Sequence, residues 1–287
     1  MFSYFFKSSK NIFFIQQILF VTLIAFISNN VDARGNPNKK GYANPDFNIR
    51  LPNIPYDVSY SWNNAKIYYP GMGIFSDPKI DEIKLDRKHP VVVFLHGSGG
   101  FGSDDRNWGS FLADNGYVVI FPDSYSIPNR FRTSGTKAEL KSNGFDRKVR
   151  SLKISTILLR ITEAKYALRE IRKFPWVDIG AVFVMGHSEG GGAAGRFGMP
   201  GLAGVITSGY KCVGKKPVRV NKNVPLLALN HETDFWFTKE GNPHCSRLKK
   251  FNNRVWSKEV VLPGEGHDTD YSPKTRQAVL DFLEKFR

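Results

Sequence analysis

From Pro90 onward, short unbroken apolar runs alternate with longer segments whose apolar residues recur every three or four positions. Val91–Leu95, Tyr117–Phe121 and Ala181–Met185 are unbroken and rich in β-branched and aromatic residues. Such runs predict strands buried on both faces, because a half-exposed strand would alternate apolar with polar residues. Leu202–Ile206 is a weaker fourth run, Val224–Leu229 a fifth and Val255–Leu262 a sixth. Between the third run and what precedes it, Leu152 to Lys173 places Ile154, Ile157, Leu158, Ile161, Ala164, Leu168 and Ile171 on one helical stripe. Pro175 stops that helix, since proline lacks the N–H a helix interior needs. Pro273 to Phe286 repeats the spacing in Val279, Leu280, Leu283 and Phe286. Alternating buried strands and amphipathic helices predict the α/β class, with a mostly parallel central sheet and helices on both faces. In such a sheet the functional groups sit on loops that follow the carboxyl ends of strands.

Before Pro90 the pattern is weaker. Arg34 to about Asp57 is rich in Asn, Pro and Gly and predicts an extended arm. Between Val58 and Tyr69, aromatic and β-branched residues flank Asn63-Asn64, so a short hairpin at a sheet edge is expected there. At the start of the chain, Lys7 and Lys10 precede an apolar run from Ile12 to Ile27 that Gln16, Gln17 and Thr22 interrupt. The run is too short and broken for a membrane span, and Val31-Asp32-Ala33 offers small residues for cleavage. A signal peptide cleaved near Ala33 is the expectation, with an uncleaved N-terminal anchor as the alternative. The expected organisation is a signal peptide over 1–33, an arm and edge hairpin over 34–85, and a catalytic domain over 86–287. The 287 residues suit one domain of the larger α/β type.

Charge and cysteine content change this picture little. The net charge is +15, which permits attraction to anionic surfaces. The basic residues are nevertheless scattered, with only pairs such as Lys39-Lys40, Lys215-Lys216 and Lys249-Lys250, and no nucleic-acid motif is present. Cys212 and Cys245 are the two cysteines. In an exported chain they form one disulfide or remain free, and the sequence alone leaves both open.

The strongest chemical signal is Gly186-His187-Ser188-Glu189-Gly190, directly after the Ala181–Met185 run and before Gly191, Gly192, Ala193 and Ala194. A serine on a sharp strand-to-helix turn is held in strained backbone geometry, and flanking glycines relieve the resulting crowding. A serine hydroxyl needs a base to become a nucleophile. Of six histidines, His267 lies in Pro263-Gly264-Glu265-Gly266-His267-Asp268, a loop between the last strand and last helix. His187 adjoins the serine but diverges from it on the turn, and His96 is expected to brace its own loop. The base in turn needs a carboxylate to fix its tautomer. Asp234, in Asn230-His231-Glu232-Thr233-Asp234 after the fifth run, is the better spaced candidate, and Glu232 is the alternative. For the developing oxyanion, His96-Gly97-Ser98-Gly99-Gly100 follows the first run. The backbone N–H groups of Ser98 and Glu189 are the expected donors.

The segments VVVFLHGSGG, GYVVIFPDSY, VFVMGHSEGGGAA, LLALNHETDFWF and LPGEGHD resemble the dienelactone hydrolase-like branch of the α/β-hydrolase superfamily, over about Pro90 to Arg287. The resemblance implies the α/β-hydrolase fold, with Ser188 as nucleophile, Asp234 as acid and His267 as base. The founding dienelactone hydrolases carry cysteine at the nucleophile, whereas this chain carries serine. Exported relatives often have one cysteine after the strand that follows the nucleophile helix and another after the acid loop. Cys212 and Cys245 occupy such positions, so the resemblance implies a disulfide that clamps the acid loop.

The expected activity is hydrolysis of a carboxylic ester or similar activated acyl compound, with a small-molecule ester or acyl substrate as partner. A thioesterase, a lipase-like enzyme or a peptidase with the same triad is the nearest alternative. A non-catalytic exported binding protein is the alternative from another class. No clustered His/Cys ligand set appears in the sequence, so no metal or organic cofactor is implied. Phe101, Trp108, Tyr125, Phe235 and Trp236 are equally expected in an apolar pocket or in the core; Arg130 and Arg132 are expected as solvated loop residues, with contact to an anionic substrate group as the alternative.

Overall fold

The structure is a computed structural model that describes residues 49–72, 77–128, 130, 145–212, 218–236 and 244–287, with side chains of 145–155 and 250 left aside. All of these residues lie in one compact unit, Asn38–Arg287. The expected signal peptide, the expected arm up to residue 48, Lys39-Lys40, Lys215-Lys216 and Arg132 lie outside the described residues.

The apolar runs become strands β2 (His89–Leu95), β3 (Val118–Phe121), β4 (Val177–His187), β5 (Gly204–Ser208), β6 (Leu226–Thr233) and β7 (Ser257–Glu265), preceded by a short β1 (Lys66–Tyr68). They form a seven-stranded sheet in the order β1-β3-β2-β4-β5-β6-β7. Only β1 runs antiparallel, pairing with β3; the other neighbouring pairs are parallel. The helices are α1 (Ser59–Asn63), α2 (Ser103–Asp114), α3 (Phe145–Glu170), α4 (Glu189–Ala194), α5 (Lys249–Asn252) and α6 (Pro273–Phe286).

Successive strand residues point to opposite faces, and the core divides accordingly. Val91, Val93, Val118, Ile120, Val182, Val184 and Val205 pack with Ala164 and Leu168 of α3, with Ile171 in the 3-10 turn that follows it, and with Ala193 and Ala194 of α4. Val92, Phe94, Val119, Phe121, Phe183 and Met185 pack on the other face with Trp108 and Leu112 of α2 and Val279, Phe282, Leu283 and Phe286 of α6. Both faces of the sheet are therefore covered, which is why its central strands read as unbroken apolar runs.

Two expectations are corrected, and the even choice for Trp108 is resolved. The edge hairpin over Val58–Tyr69 is a helix, α1, followed by the single strand β1, which does lie at the sheet edge. Asn64 closes α1, its side chain donating to the Tyr60 carbonyl oxygen at 2.9 Å; that side-chain bond ends a helix where a hairpin turn was expected. Leu158 is 40% exposed and so leaves the buried stripe of α3, which runs instead through Leu159, Ala164, Ala167 and Leu168, with Ile171 just past the helix end. Trp108 is in the core, at 1% exposure.

Cys212 and Cys245 are both buried and form a disulfide, with a Cα–Cα separation of 4.7 Å. Glu259 of β7 holds the second cysteine's turn in place, accepting from Cys245 N and Ser246 N, each at 2.8 Å, and from Asn230 Nδ2 at 2.9 Å. The bond closes a sequence separation of 33 residues, for which loop-closure entropy gives a stabilisation of about 3–4 kcal/mol. Urea unfolding with and without reductant checks this. Reduction should lower the unfolding free energy by about that amount while circular dichroism of the folded state is retained. Coincident curves would show that no bond forms.

Candidate active site

β4 ends at His187 and α4 begins at Glu189, leaving Ser188 to make the whole turn. Its φ of 52° and ψ of −113° make it the one non-glycine residue with positive φ among the described residues. Such a conformation costs about 1–3 kcal/mol in isolation and persists only when the surroundings over-determine it. Here Ser188 N donates to Ser208 O and Gly192 N donates to Ser188 O, both at 2.9 Å. The turn also demands glycine around it. A Cβ on Gly190 would lie 1.9 Å from the Leu95 carbonyl oxygen, and one on Gly186 would lie 2.3 Å from that of Gly190.

His267 and Asp234 arrive from the loops after β7 and β6. His267 Nδ1 lies 2.7 Å from Asp234 Oδ2, and both residues are buried. The other Asp234 oxygen accepts from Trp236 N at 2.9 Å, which fixes the carboxylate plane. Glu232 instead accepts from Gly264 N at 2.9 Å in an exposed position, so it shapes the loop that carries His267 and does not pair with the imidazole. His231 supports the same loop from beneath, its Nε2 standing 2.9 Å from the Asp268 carbonyl oxygen. The rings of His267 and His187 meet edge to face with centroids 4.8 Å apart, which brings His267 beside the residue preceding Ser188.

The loop after β2 closes the third side. A Cβ on Gly97 would lie 3.5 Å from Ser188 Cβ, so this glycine faces the serine directly. Gly100 N donates to Gly97 O at 3.2 Å, and Gly100 takes a φ of 93°, forming a tight turn around Ser98. The Tyr125 hydroxyl donates to the Ser98 carbonyl oxygen. Arg130 stacks on the Tyr125 ring at 4.1 Å and pairs with Glu189 at 3.3 Å. Arg130 is thus buried against both loops, and the expectation that it is solvated is corrected.

Beneath this turn lies a buried polar network that the sequence did not signal. His96 Nε2 accepts from Ser124 N and lies 3.2 Å from Arg160 Nη1. Arg160 pairs with Glu163 at 2.7 Å, and both side chains are fully buried. Glu163 also accepts from the Ser124 hydroxyl. Burial pushes the Glu163 carboxyl up, against the pull of Arg160. Burial and then the Arg160 charge hold His96 well below the usual imidazole range. His96 is therefore a neutral brace, as its position in the loop suggested. The i, i+3 spacing of Arg160 and Glu163 on α3 was visible, but it reads equally as a solvated surface pair.

On the other side of Ser188, His187 Nδ1 lies 3.0 Å from Ser208 Oγ, and its Nε2 lies 3.1 Å from Asp268 Oδ1. Burial disfavours the charged imidazole, but the Asp268 bond and the Asp104, Asp268 and Asp105 charges outweigh it and raise the pKa. Asp105 is itself pushed up to about 7, first by burial and then by Asp104. Phe235 and Trp236, 52% and 69% exposed, stand with ring centroids 5.8 and 6.1 Å from that of His267. Tyr125 stacks on His96, and Phe101 packs on Phe121. Of the five aromatics singled out, only Phe235 and Trp236 therefore present open apolar surface beside the imidazole.

No protein-family model matches the chain, and no curated protein matches it by sequence. Among solved structures, Est1E from Butyrivibrio proteoclasticus with ferulic acid bound is similar over 78% of this chain and 94% of that one, with a TM-score of 0.52 and 14% identity. A protein described as a dienelactone hydrolase, from Klebsiella pneumoniae subsp. pneumoniae MGH 78578, matches over 70% of this chain and 88% of its own, with a TM-score of 0.48 and 15% identity. At 14% identity the likeness to Est1E concerns the fold: with its seven-stranded, mostly parallel sheet this chain has the α/β-hydrolase fold, as the motif segments implied.

Two predictions follow from the packing. Gly190→Ala should destabilise the protein by about 3 kcal/mol or more, through overpacking against backbone. Gly99→Ala, whose added Cβ meets nothing within 4 Å, should stay within about 0.5 kcal/mol of wild type. Thermal unfolding of the two variants side by side checks the contrast. For His96, the folded pKa lies below the ordinary 6.5. The unfolded chain therefore takes up a proton first as pH falls, and stability present above that value is lost below it. Between about pH 7.5 and about pH 5.5, wild type should lose about 1 kcal/mol more stability than His96→Gln. Denaturant titrations at both pH values measure this, and parallel losses would refute it.

Proposed function

We propose that the protein is an exported serine hydrolase that cleaves a carboxylic ester or similarly activated acyl compound through an acyl-enzyme. The observation that carries the reading is the strained Ser188 turn, at the sheet end where the buried Asp234–His267 pair arrives. In this reading Ser188 Oγ attacks the acyl carbon while His267 takes its proton. Asp234 holds the imidazole by Nδ1 and stabilises the imidazolium. The Ser98 and Glu189 N–H groups meet the oxyanion, the first on a glycine-rich turn facing the serine and the second at the start of α4. His267 then returns its proton to the departing alcohol, and water repeats the sequence to free the acid.

Est1E holds ferulic acid, an aromatic acid. The open rings of Phe235 and Trp236 beside His267 favour an aryl or other apolar group on this protein's substrate as well. The Cys212–Cys245 disulfide is compatible with export, as is the apolar segment over Ile12–Ile27. Among the described residues no helix is long and apolar enough to cross a membrane.

A fluorophosphonate probe should label the wild type and fail to label Ser188→Ala. Asp234→Asn should lower kcat on p-nitrophenyl esters by about 10⁴-fold, whereas Glu232→Gln should change it only a few-fold. Acyl thioesters and peptides assayed beside esters of graded length separate the related activities. A folded wild type that neither labels nor hydrolyses any of them would sink the enzymatic reading and leave a binding protein.

A further inference from the structure

Asp104, His187 and Asp268 converge from three separate segments: the first turn of α2, the end of β4 and the loop after β7. One oxygen or nitrogen from each lies within 4.8 Å of the others. His187 Nε2 stands 3.1 Å from Asp268 Oδ1 and 3.9 Å from Asp104 Oδ2. Ligand atoms around a tetrahedral ion with bonds of about 2.0–2.1 Å are about 3.4 Å apart. The separations bracket that value, and the Asp104 and Asp268 side chains, 24% and 59% exposed, have room to adjust.

Two further features mark the cluster. Asp105, next to Asp104, is 1% exposed, and its Oδ1 has no hydrogen-bond partner among the described residues. Buried polar atoms find a partner as a rule, and one without a partner in the protein points to a water or an ion beside it. Two carboxylates thus face one buried imidazole, in a chain whose net charge is +15. The imidazole is also oriented as metal-ligating histidines are. Its Nδ1 faces Ser208 Oγ at 3.0 Å, which in turn pairs with Thr269 Oγ1 at 2.8 Å. In the tautomer whose Nδ1–H donates to Ser208, Nε2 carries no proton and is open to an ion held by the two exposed carboxylates; without an ion, Nε2–H donates to Asp268 Oδ1.

We propose that Asp104, His187 and Asp268 form a binding site for a divalent first-row cation, with Zn²⁺ the ion best matched to one imidazole and two carboxylates. Water completes the coordination on the solvent side. The ion joins the residue before Ser188 to the residue after His267, so it fastens the two loops to each other and to the start of α2. Its role is structural, and the site stands whether or not Ser188 is a nucleophile.

Calorimetric titration of ZnCl₂ into the chelator-treated mature protein tests this, with Mn²⁺ and Ca²⁺ in parallel. One equivalent of Zn²⁺ should bind and raise the thermal midpoint. Asp104→Asn and Asp268→Asn should each weaken binding by about 10-fold or more, and the double variant should abolish it. Both side chains reach solvent, so these variants fold even where a His187 substitution does not. Absence of saturable binding, or affinity unchanged in both variants, would overturn the proposal. Fluorophosphonate labelling in chelator-containing buffer reports on Ser188 separately, so the two readings fail independently.

Discussion

The site depends on one steric constraint, the approach of the α4 backbone to the end of β2. Gly190 meets the Leu95 carbonyl so closely that no side chain fits between them. That approach seats the turn at Ser188 over the neighbouring strand and sets the glycine-rich loop after β2 against the serine. Strain at Ser188 is tolerable because the surrounding backbone, bonded through Ser208 and Gly192, leaves it no alternative. A sheet buried on both faces supplies the rigidity, since its central strands are held by hydrogen bonds on each side and by a core on each face.

Around this constraint the two flanks of Ser188 are built differently. On one flank, charges are buried and matched: Arg160 with Glu163, Arg130 with Glu189, and a neutral His96 between them. Breaking a buried pair of this kind costs about 3–5 kcal/mol, so the network fixes the loop at residues 96–100 firmly. On the other flank, negative charge outweighs positive around His187, and the carboxylates that reach solvent are less constrained. The first arrangement suits a surface that must hold still under a developing charge. The second suits one that takes up a counter-charge from solution.

Much of this was legible in the sequence. The buried strands announced themselves as unbroken apolar runs because both sheet faces are covered, and α6 was visible from Pro273 to Phe286 because its stripe is regular. Ser188, Asp234 and His267 stood out because each follows a strand and is flanked by glycine or by turn residues. The geometry brings Asp234 to His267 and sends Glu232 to Gly264 N, a choice that spacing alone left open. The helix α1 was missed because a five-residue helix has too few positions to show a period, and its aromatic content imitates a strand. Leu158 was misplaced because a stripe with steps of three and four is satisfied by residues on its margin. The burial of the Arg160–Glu163 pair against His96 and the Asp104–His187–Asp268 cluster escaped the sequence reading for a different reason. Each owes its meaning to elements far apart in the chain, and pattern reading sees only neighbours.

That distance has a consequence for how the molecule is made. Arg160 touches His96 across 64 residues of intervening chain, so the loop after β2 emerges during synthesis long before its brace exists. Until α3 docks, the turn around Ser98 has neither the guanidinium beneath it nor Ser124 tied to Glu163. The loop therefore gains its brace only once α3 has been made, and the last loop, with His267, is made later still. Synthesis from the amino end thus supplies the first loop and its brace before the Asp234–His267 pair can form.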